Sequence, residues 1–519
     1  MLRVGIDVGG THTDAVLLEG DVVLAWTKAL TSADVLSGIL EALENILNER
    51  PGLESKIQAV MLGTTQFTNA VIERRELSEV AAVRMGLPSG AGLPPKVGWP
   101  QDISRALGEH VYQLRGGYLY DGWRLADLDD AEIRNLIQDL RDKRAEAVSI
   151  SSVFSPANPQ PELEVAQRIQ TALPDIRVTC SHKIGRLGIL ERENAALLNT
   201  SLLAFADRVV QAFVTAIRQR GLTGRFFVSQ NDGTLMDAEF ARLYPALTFA
   251  SGPTNSLRGA SRLTGLANAI VVDIGGTTSD IGVLQDGFPR ESNVVIEVGG
   301  VRTNFRMPDV LAIGLGGGSY VDADGGQVGP RSVGHRLVHE GRVFGGDTLT
   351  ATDIVVAAGH TTVGDPGLVA ELPTSLVQNA IQTMTSTLNR GVEQMKPSSE
   401  PMPVILVGGG AVLATQPLDA AASMVSPEHA GVANAIGAAI AQIGGEAEQL
   451  VAYAQQSREQ ALAEVTAQAM ELAVTAGADR TTLRVADIEE TTLSYMAEPT
   501  TRLRVKVVGE IAGLAGGAE

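Results

Sequence analysis

The chain carries one pattern twice. Asp7-Val8-Gly9-Gly10-Thr11-His12-Thr13-Asp14 stands near the start, and Asp273-Ile274-Gly275-Gly276-Thr277-Thr278-Ser279-Asp280 stands in the second half. Both read Asp, apolar, Gly, Gly, Thr, any residue, hydroxyl, Asp. An apolar stretch precedes each copy, Leu2 to Ile6 and Ala269 to Val272, and another follows, Ala15 to Leu18 and Ile281 to Leu284. Strand, Gly-Gly turn, strand predicts a β-hairpin. One copy alone would pass for a turn in an ordinary meander. Two copies in matching contexts predict two similar domains that face a shared cleft.

The residue types in the turn suit a polyphosphate. Glycine lets a ligand approach the backbone with no Cβ in the way, and successive amides in such a turn form a concave nest for an anion. The threonine hydroxyls add donors. An aspartate at the strand end suits a hydrated magnesium ion, which gives up its waters reluctantly. On this reading Asp7 and Asp273 stand near the metal. Gly9, Gly10, Thr11, Thr13, Gly275, Gly276, Thr277 and Thr278 bind phosphate. His12, inside the first turn, contacts phosphate or substrate or merely fills its place. Asp14 and Asp280 are candidates for acid–base work, or tie their turns by bonding nearby backbone. Two further glycine runs follow apolar strands. Gly316-Gly317-Gly318 reads as another nest or a close backbone approach, and Gly408-Gly409-Gly410 as a nucleotide contact or a strand-to-helix turn.

These stretches resemble the actin, hexokinase and heat-shock chaperone superfamily of ATP-binding proteins. Within it, the chain resembles the A subunit of the hydantoinase/oxoprolinase family. The matching motifs are the two hairpins, Leu62-Gly63-Thr64-Thr65-Gln66-Phe67-Thr68-Asn69-Ala70, Ser229-Gln230-Asn231-Asp232-Gly233-Thr234-Leu235-Met236, Ser251-Gly252-Pro253 and Ile313-Gly314-Leu315-Gly316-Gly317-Gly318-Ser319. Several motifs in one order are more specific than any single one. The resemblance implies an α/β fold of two actin-like, ribonuclease H-like lobes around a nucleotide cleft. It implies ATP and Mg2+ as cofactors, Gly63-Thr64-Thr65 facing the cleft, and Gly408 to Gly410 against the adenosine. It also implies an ATP-dependent hydrolase subunit that phosphorylates a cyclic amide, such as a hydantoin, 5-oxoproline or another lactam, for ring opening with a hydantoinase B-type partner. The family often has a Pro- and Cys-containing segment where this chain has Gly334-His335-Arg336-Leu337-Val338-His339-Glu340, which leaves the substrate open among a hydantoin, 5-oxoproline, another lactam and a ketone carboxylated with ATP. Two other functions stay in view: a small-molecule kinase of the same superfamily, and a non-catalytic nucleotide switch acting on a partner.

Composition narrows the setting. The formal charge is −19, which argues against nucleic acid or an anionic membrane as partner. The single cysteine, Cys180, excludes an intrachain disulfide and reads as a buried apolar residue in a reducing compartment. With no basic and apolar leader at the start, the sequence predicts a cytoplasmic protein. His335 and His339 have the i, i+4 spacing of metal ligands, but no third ligand accompanies them. Three regions are expected: residues 1–185 with the first hairpin, 186–445 with the second, and a small α+β tail over 446–519. Ser32 or Asp34 would cap a helix from Val35 to Asn48. Strands and helices alternate over residues 127–181, which predicts a parallel or mixed sheet with crossover helices. One long helix, or two, is expected from Glu191 to Arg218, bridging to the second domain. An Ala- and Gln-rich helix is expected from Glu446 to Ala476, then two strands, with the end from Gly513 frayed.

Overall fold

The computed structural model describes residues 1–9, 12–30, 35–292, 295–493 and 500–513. Gly10 and Thr11 of the first turn, the caps expected at Ser32 and Asp34, and the chain end from residue 514 lie outside the described residues.

Both repeated stretches form antiparallel hairpins. Leu2–Val8 pairs with His12–Glu19, and Ala269–Ile274 pairs with Ser279–Gln285. Asp7 stands opposite Asp14, and Asp273 stands opposite Asp280. Each hairpin belongs to its own sheet. The first sheet has nine strands, in the order Arg484–Leu493, Thr500–Gly509, Gln442–Ala452, Thr234–Asp237, Arg225–Ser229, Ile57–Thr64, Leu2–Val8, His12–Glu19, Val22–Leu30. The second has six: Phe288–Pro289, Ser279–Gln285, Ala269–Ile274, Met402–Val407 and Ala421–Val425, with Val310–Ile313 also paired to Ser279–Gln285.

A third, four-stranded sheet is parallel throughout, in the order Val111–Arg115, Ala81–Leu87, Ala147–Ser152, Arg177–Cys180. The helices Asp130–Asp142 and Gln160–Ala172 cover it, as the strand–helix alternation predicts. Cys180 is buried there, and burial pushes its thiol up to about 12, so it is inert. The helix Ile189–Gln219 is long and apolar enough by composition to cross a membrane. Its inner face is packed against this sheet at one end and against the first hairpin's sheet at the other.

The sheets do not follow the boundaries expected at 185/186 and 445/446. Strands Arg225–Ser229 and Thr234–Asp237 return to the first sheet, and so do Gln442–Ala452, Arg484–Leu493 and Thr500–Gly509. The long helix expected from Glu446 is corrected as well. Gln442–Ala452 is a strand, parallel to Thr234–Asp237 and antiparallel to Thr500–Gly509, and the helix begins at Arg458. Its Ala, Glu and Gln content favours a helix, but Ile443, Gly445, Ala447 and Val451 are buried at the period of a strand, and Ala447 and Val451 pack under Val465 and Ala469. Pairing on both sides overrides a weak local preference.

Two crossover helices join the lobes. Ser251–Thr264 leads from the first sheet to the second and packs on the second through Leu257 and Ala260. Ala433–Ile440 leads back and packs on Val16 and Leu18 of the first hairpin through Ala435, Ile436 and Ala439. The helices cross at glycines. A Cβ on Gly259 would overlap the Ala433 carbonyl, and one on Gly437 would overlap the Asn255 carbonyl. Since the obstacle is backbone in both cases, no rotamer change relieves it. Gly259→Val and Gly437→Val should therefore each lower stability by at least about 1–3 kcal/mol, read from urea unfolding of the purified protein.

Candidate active site

The crossing of the two helices delivers side chains to both hairpins at once. Asn255 and Ser256 are consecutive on the helix Ser251–Thr264. The Asn255 amide donates to Asp7 Oδ1 at 3.0 Å, and the Ser256 hydroxyl donates to Asp273 Oδ2 at 2.5 Å. The other helix adds Asn434, whose amide donates to Asp7 Oδ2 at 3.0 Å. Two glycines make room. A Cβ on Gly63 would overlap the Asp7 carboxylate and the Asn255 amide, and one on Gly408 would overlap the Asp273 carboxylate.

Four aspartates therefore gather where the hairpins meet. Burial, with a smaller push from Asp14 and Asp273, lifts Asp7 to about 6 against its amide donors. Burial also raises Asp273, and burial with the charge of Asp273 lifts Asp280 to about 7. Like charges crowded out of water favour the protonated form, and a divalent cation reverses that preference. The donor set fits hydrated Mg2+: carboxylates fixed by amide and hydroxyl donors, which would hold the ion through its waters.

The two turns close in the same way. Gly9 donates its amide to the His12 carbonyl and Gly275 to the Thr278 carbonyl, each at 2.9 Å. These two amides shape the turns. Thr277 and Thr278 are exposed at the second tip, while Thr13 is buried beneath the first.

Residues 3–173 match the family described as hydantoinase/oxoprolinase N-terminal region, and residues 192–395 match hydantoinase/oxoprolinase. The chain belongs to the hydantoinase/oxoprolinase family. It is 28% identical to the caprolactamase subunit alpha of Pseudomonas jessenii, over 70% of this chain and 55% of that one. It is 25% identical to the acetophenone carboxylase gamma subunit of Aromatoleum aromaticum, over 69% of this chain and 53% of that one. The chain thus spans about half the length of the curated relatives it matches. The crystal structure of the ATP-dependent caprolactamase from Pseudomonas jessenii shares the fold, with a TM-score of 0.78 over 98% of this chain and 87% of that one at 20% identity.

In this family member several expected residues take positions the sequence did not give. Gly317 and Gly318 donate their amides to the Gly275 and Gly276 carbonyls at 3.0 and 2.7 Å, and Gly316 donates to the Ser319 hydroxyl at 2.9 Å. Gly316 and Gly317 therefore back the second turn, with their amides already engaged. Gly408 and Gly410 likewise donate to Ala430 and Ile274, and Gly408 to Gly410 sit beside Asp273 and the second turn. Asp14 is held by a side chain. Its two oxygens accept from Lys28 at 2.7 and 2.8 Å. His12 lies at the base of the first turn, where burial and the nearby Lys28 lower its pKa. His335 and His339 are exposed on a short turn, and Gly334 brings that segment beside Thr277.

Sequence reasoning passed over Asn255, Ser256, Asn434 and Lys28. A signal existed for the first two, which follow directly on Ser251-Gly252-Pro253. It also left the Gln230 to Thr234 turn without a job. Asn231 accepts from the Ala250 amide at 2.7 Å, and its carbonyl accepts from the Thr254 hydroxyl at 2.7 Å, so the turn fixes the start of the helix that carries Asn255 and Ser256.

The acids give the ligand-free protein a pH dependence. Folded Asp280 keeps its proton up to about 7, whereas an unfolded aspartate loses it near 3.8. Between those values the folded state binds more protons, so stability falls as pH rises through that window and stays low above it. In magnesium-free buffer Asp280→Asn should stabilise the protein by about 1–3 kcal/mol at pH 8 and by much less at pH 4, measured by urea unfolding at both.

Proposed function

We propose that this chain is the ATP-using subunit of an enzyme that phosphorylates a cyclic amide for ring opening, with hydrolysis completed together with a B-type partner subunit. One observation carries the reading: the acids of two matching Gly-Gly-Thr hairpins, one from each lobe, are held by neighbouring residues of a single helix. That arrangement suits one triphosphate gripped from both sides better than two unrelated sites.

The chemistry explains why a ring-opening enzyme would use ATP. A lactam carbonyl is a poor electrophile. When its oxygen takes the γ-phosphoryl group, ADP leaves and the amide proton departs; water then adds to the activated ring carbon, the C–N bond breaks as the nitrogen takes a proton, and a second water hydrolyses the resulting acyl phosphate to carboxylate and phosphate. Phosphoryl transfer asks for positioning and charge neutralisation more than covalent help. Mg2+ near Asp7 and Asp273 would neutralise phosphate charge. The turns Gly9 to Thr13 and Gly275 to Thr278 would fix the phosphates, with Gly408 to Gly410 beside them. The matched relatives support a partner, since both are named as subunits of larger enzymes. A cytoplasmic location is part of the proposal and rests on the single buried cysteine.

The test is to purify the native complex, identify what accompanies the chain, and screen lactams for ATP consumption. A stoichiometric partner and lactam-dependent ATP hydrolysis are expected. Asp7→Ala and Asp273→Ala should each cut that turnover about a hundredfold or more while the far-ultraviolet spectrum stays unchanged. Full activity in either variant contradicts the proposal. A phosphorylated product released without a partner points instead to a kinase.

A further inference from the structure

Lys28 joins the two halves of the cleft. Its ammonium is anchored on both carboxylate oxygens of Asp14 in the first lobe, and it donates at 3.0 Å to the Gly431 carbonyl of the second. Gly431 lies just before the crossover helix Ala433–Ile440, and the neighbouring Ala430 carbonyl accepts from Gly408. A Cβ on Gly409 would stand 3.5 Å from Cε of Lys28. The lysine therefore sits among Asp14, the Gly408 to Gly410 turn and the start of a crossover helix.

The two hairpins differ at this point. In the first sheet, register places Lys28 opposite Asp14. In the second, Ala312 takes the matching place opposite Asp280. The duplicated turns thus share glycines and acids but only the first has a lysine set against its inner aspartate. Nor is the ion pair sealed from solvent, since 28% of the Lys28 side chain is exposed while Asp14 is buried.

The three acceptors of Lys28 are unequal. Two belong to one carboxylate and hold the ammonium in place. The third is an uncharged carbonyl. A phosphate oxygen carries charge, and charge-assisted hydrogen bonds are roughly twice as strong as neutral ones, so an arriving phosphate displaces the carbonyl.

We propose that Lys28 positions the outer phosphates of the nucleotide: anchored through Asp14, it exchanges the Gly431 carbonyl for a phosphate oxygen when the cleft fills. The proposal rests on the reading of the cleft as an ATP site and adds to it the residue that couples the lobes to the phosphate chain.

Isothermal titration of ATP and AMP, each with magnesium, into wild type, Lys28→Met and Lys28→Arg tests it, with KM for ATP and kcat measured alongside. Lys28→Met should weaken ATP about tenfold to a hundredfold while leaving AMP within about twofold of wild type. Lys28→Arg should recover part of the ATP affinity, because it keeps the charge but changes the donor geometry. Equal ATP affinity in wild type and Lys28→Met overturns the proposal, as does an equal loss for ATP and AMP, which marks a purely structural lysine. Should Lys28→Met fail to fold, Asp14→Asn carries the test through the same ATP-to-AMP ratio. A wild-type protein that binds no ATP sinks the nucleotide reading itself, and Lys28 with it.

Discussion

The close crossing of two helices is the constraint on which the rest depends. Ser251–Thr264 and Ala433–Ile440 each run from one sheet to the other, and they touch where Gly259 and Gly437 leave no side chain between the backbones. Because the approach is so close, both lobes' strand ends converge on the first turns of these helices. Asn255, Ser256 and Asn434 then reach Asp7 and Asp273 without long side chains. Gly5 extends the same packing, since a Cβ there would overlap the Ala435 carbonyl. The nine-stranded sheet supports the arrangement from behind. Burial works against the charge of Asp232, but Lys506 of a C-terminal strand, 2.8 Å away, and the Thr234 donors hold its pKa down to about 2. That charged pair ties the Gln230 to Thr234 turn to the strand Thr500–Gly509, while Asn231 of the same turn holds the start of the helix carrying Asn255.

Packing of this kind brings an electrostatic cost, and the cost has a use. Asp7, Asp273 and Asp280 are all pushed toward the protonated form, a preference that a bound cation would reverse. Stability is given up where function needs charge concentrated. The first hairpin offsets part of this with Lys28 opposite Asp14, and the second, with Ala312 opposite Asp280, does not. A chain duplicated in outline has thus become asymmetric in charge, and a bound nucleotide would meet different partners on its two sides.

Much of this was legible in the sequence. Both hairpins, the parallel sheet of the first half and the long helix at Ile189–Gln219 follow from local pattern, because short-range periodicity and glycine turns dictate them. The order of strands in the sheets did not follow. Arg225–Ser229 and Thr234–Asp237 are followed in sequence by the second lobe yet pair in the first sheet, and no local signal records which sheet a strand joins. Gln442–Ala452 misled for the opposite reason: its composition favours a helix, and only its two neighbours make it a strand. Gly316 and Gly317 show a similar limit. Three consecutive glycines mark a close approach, but the sequence does not say whether the thing approached is a ligand or the Gly275–Gly276 backbone. Lys28 and Asn434 carried no motif, since their roles arise from register and from a helix contributed by a distant part of the chain.

The central claim is that two turns from different lobes close on one phosphate chain. A crystal structure of the chain with a non-hydrolysable ATP analogue and magnesium tests it directly. The account predicts a single nucleotide whose phosphates touch both the Gly9 to Thr13 and the Gly275 to Thr278 turns, with the metal's waters on Asp7 and Asp273. A nucleotide bound against one turn alone, or a metal coordinated away from both aspartates, would contradict it.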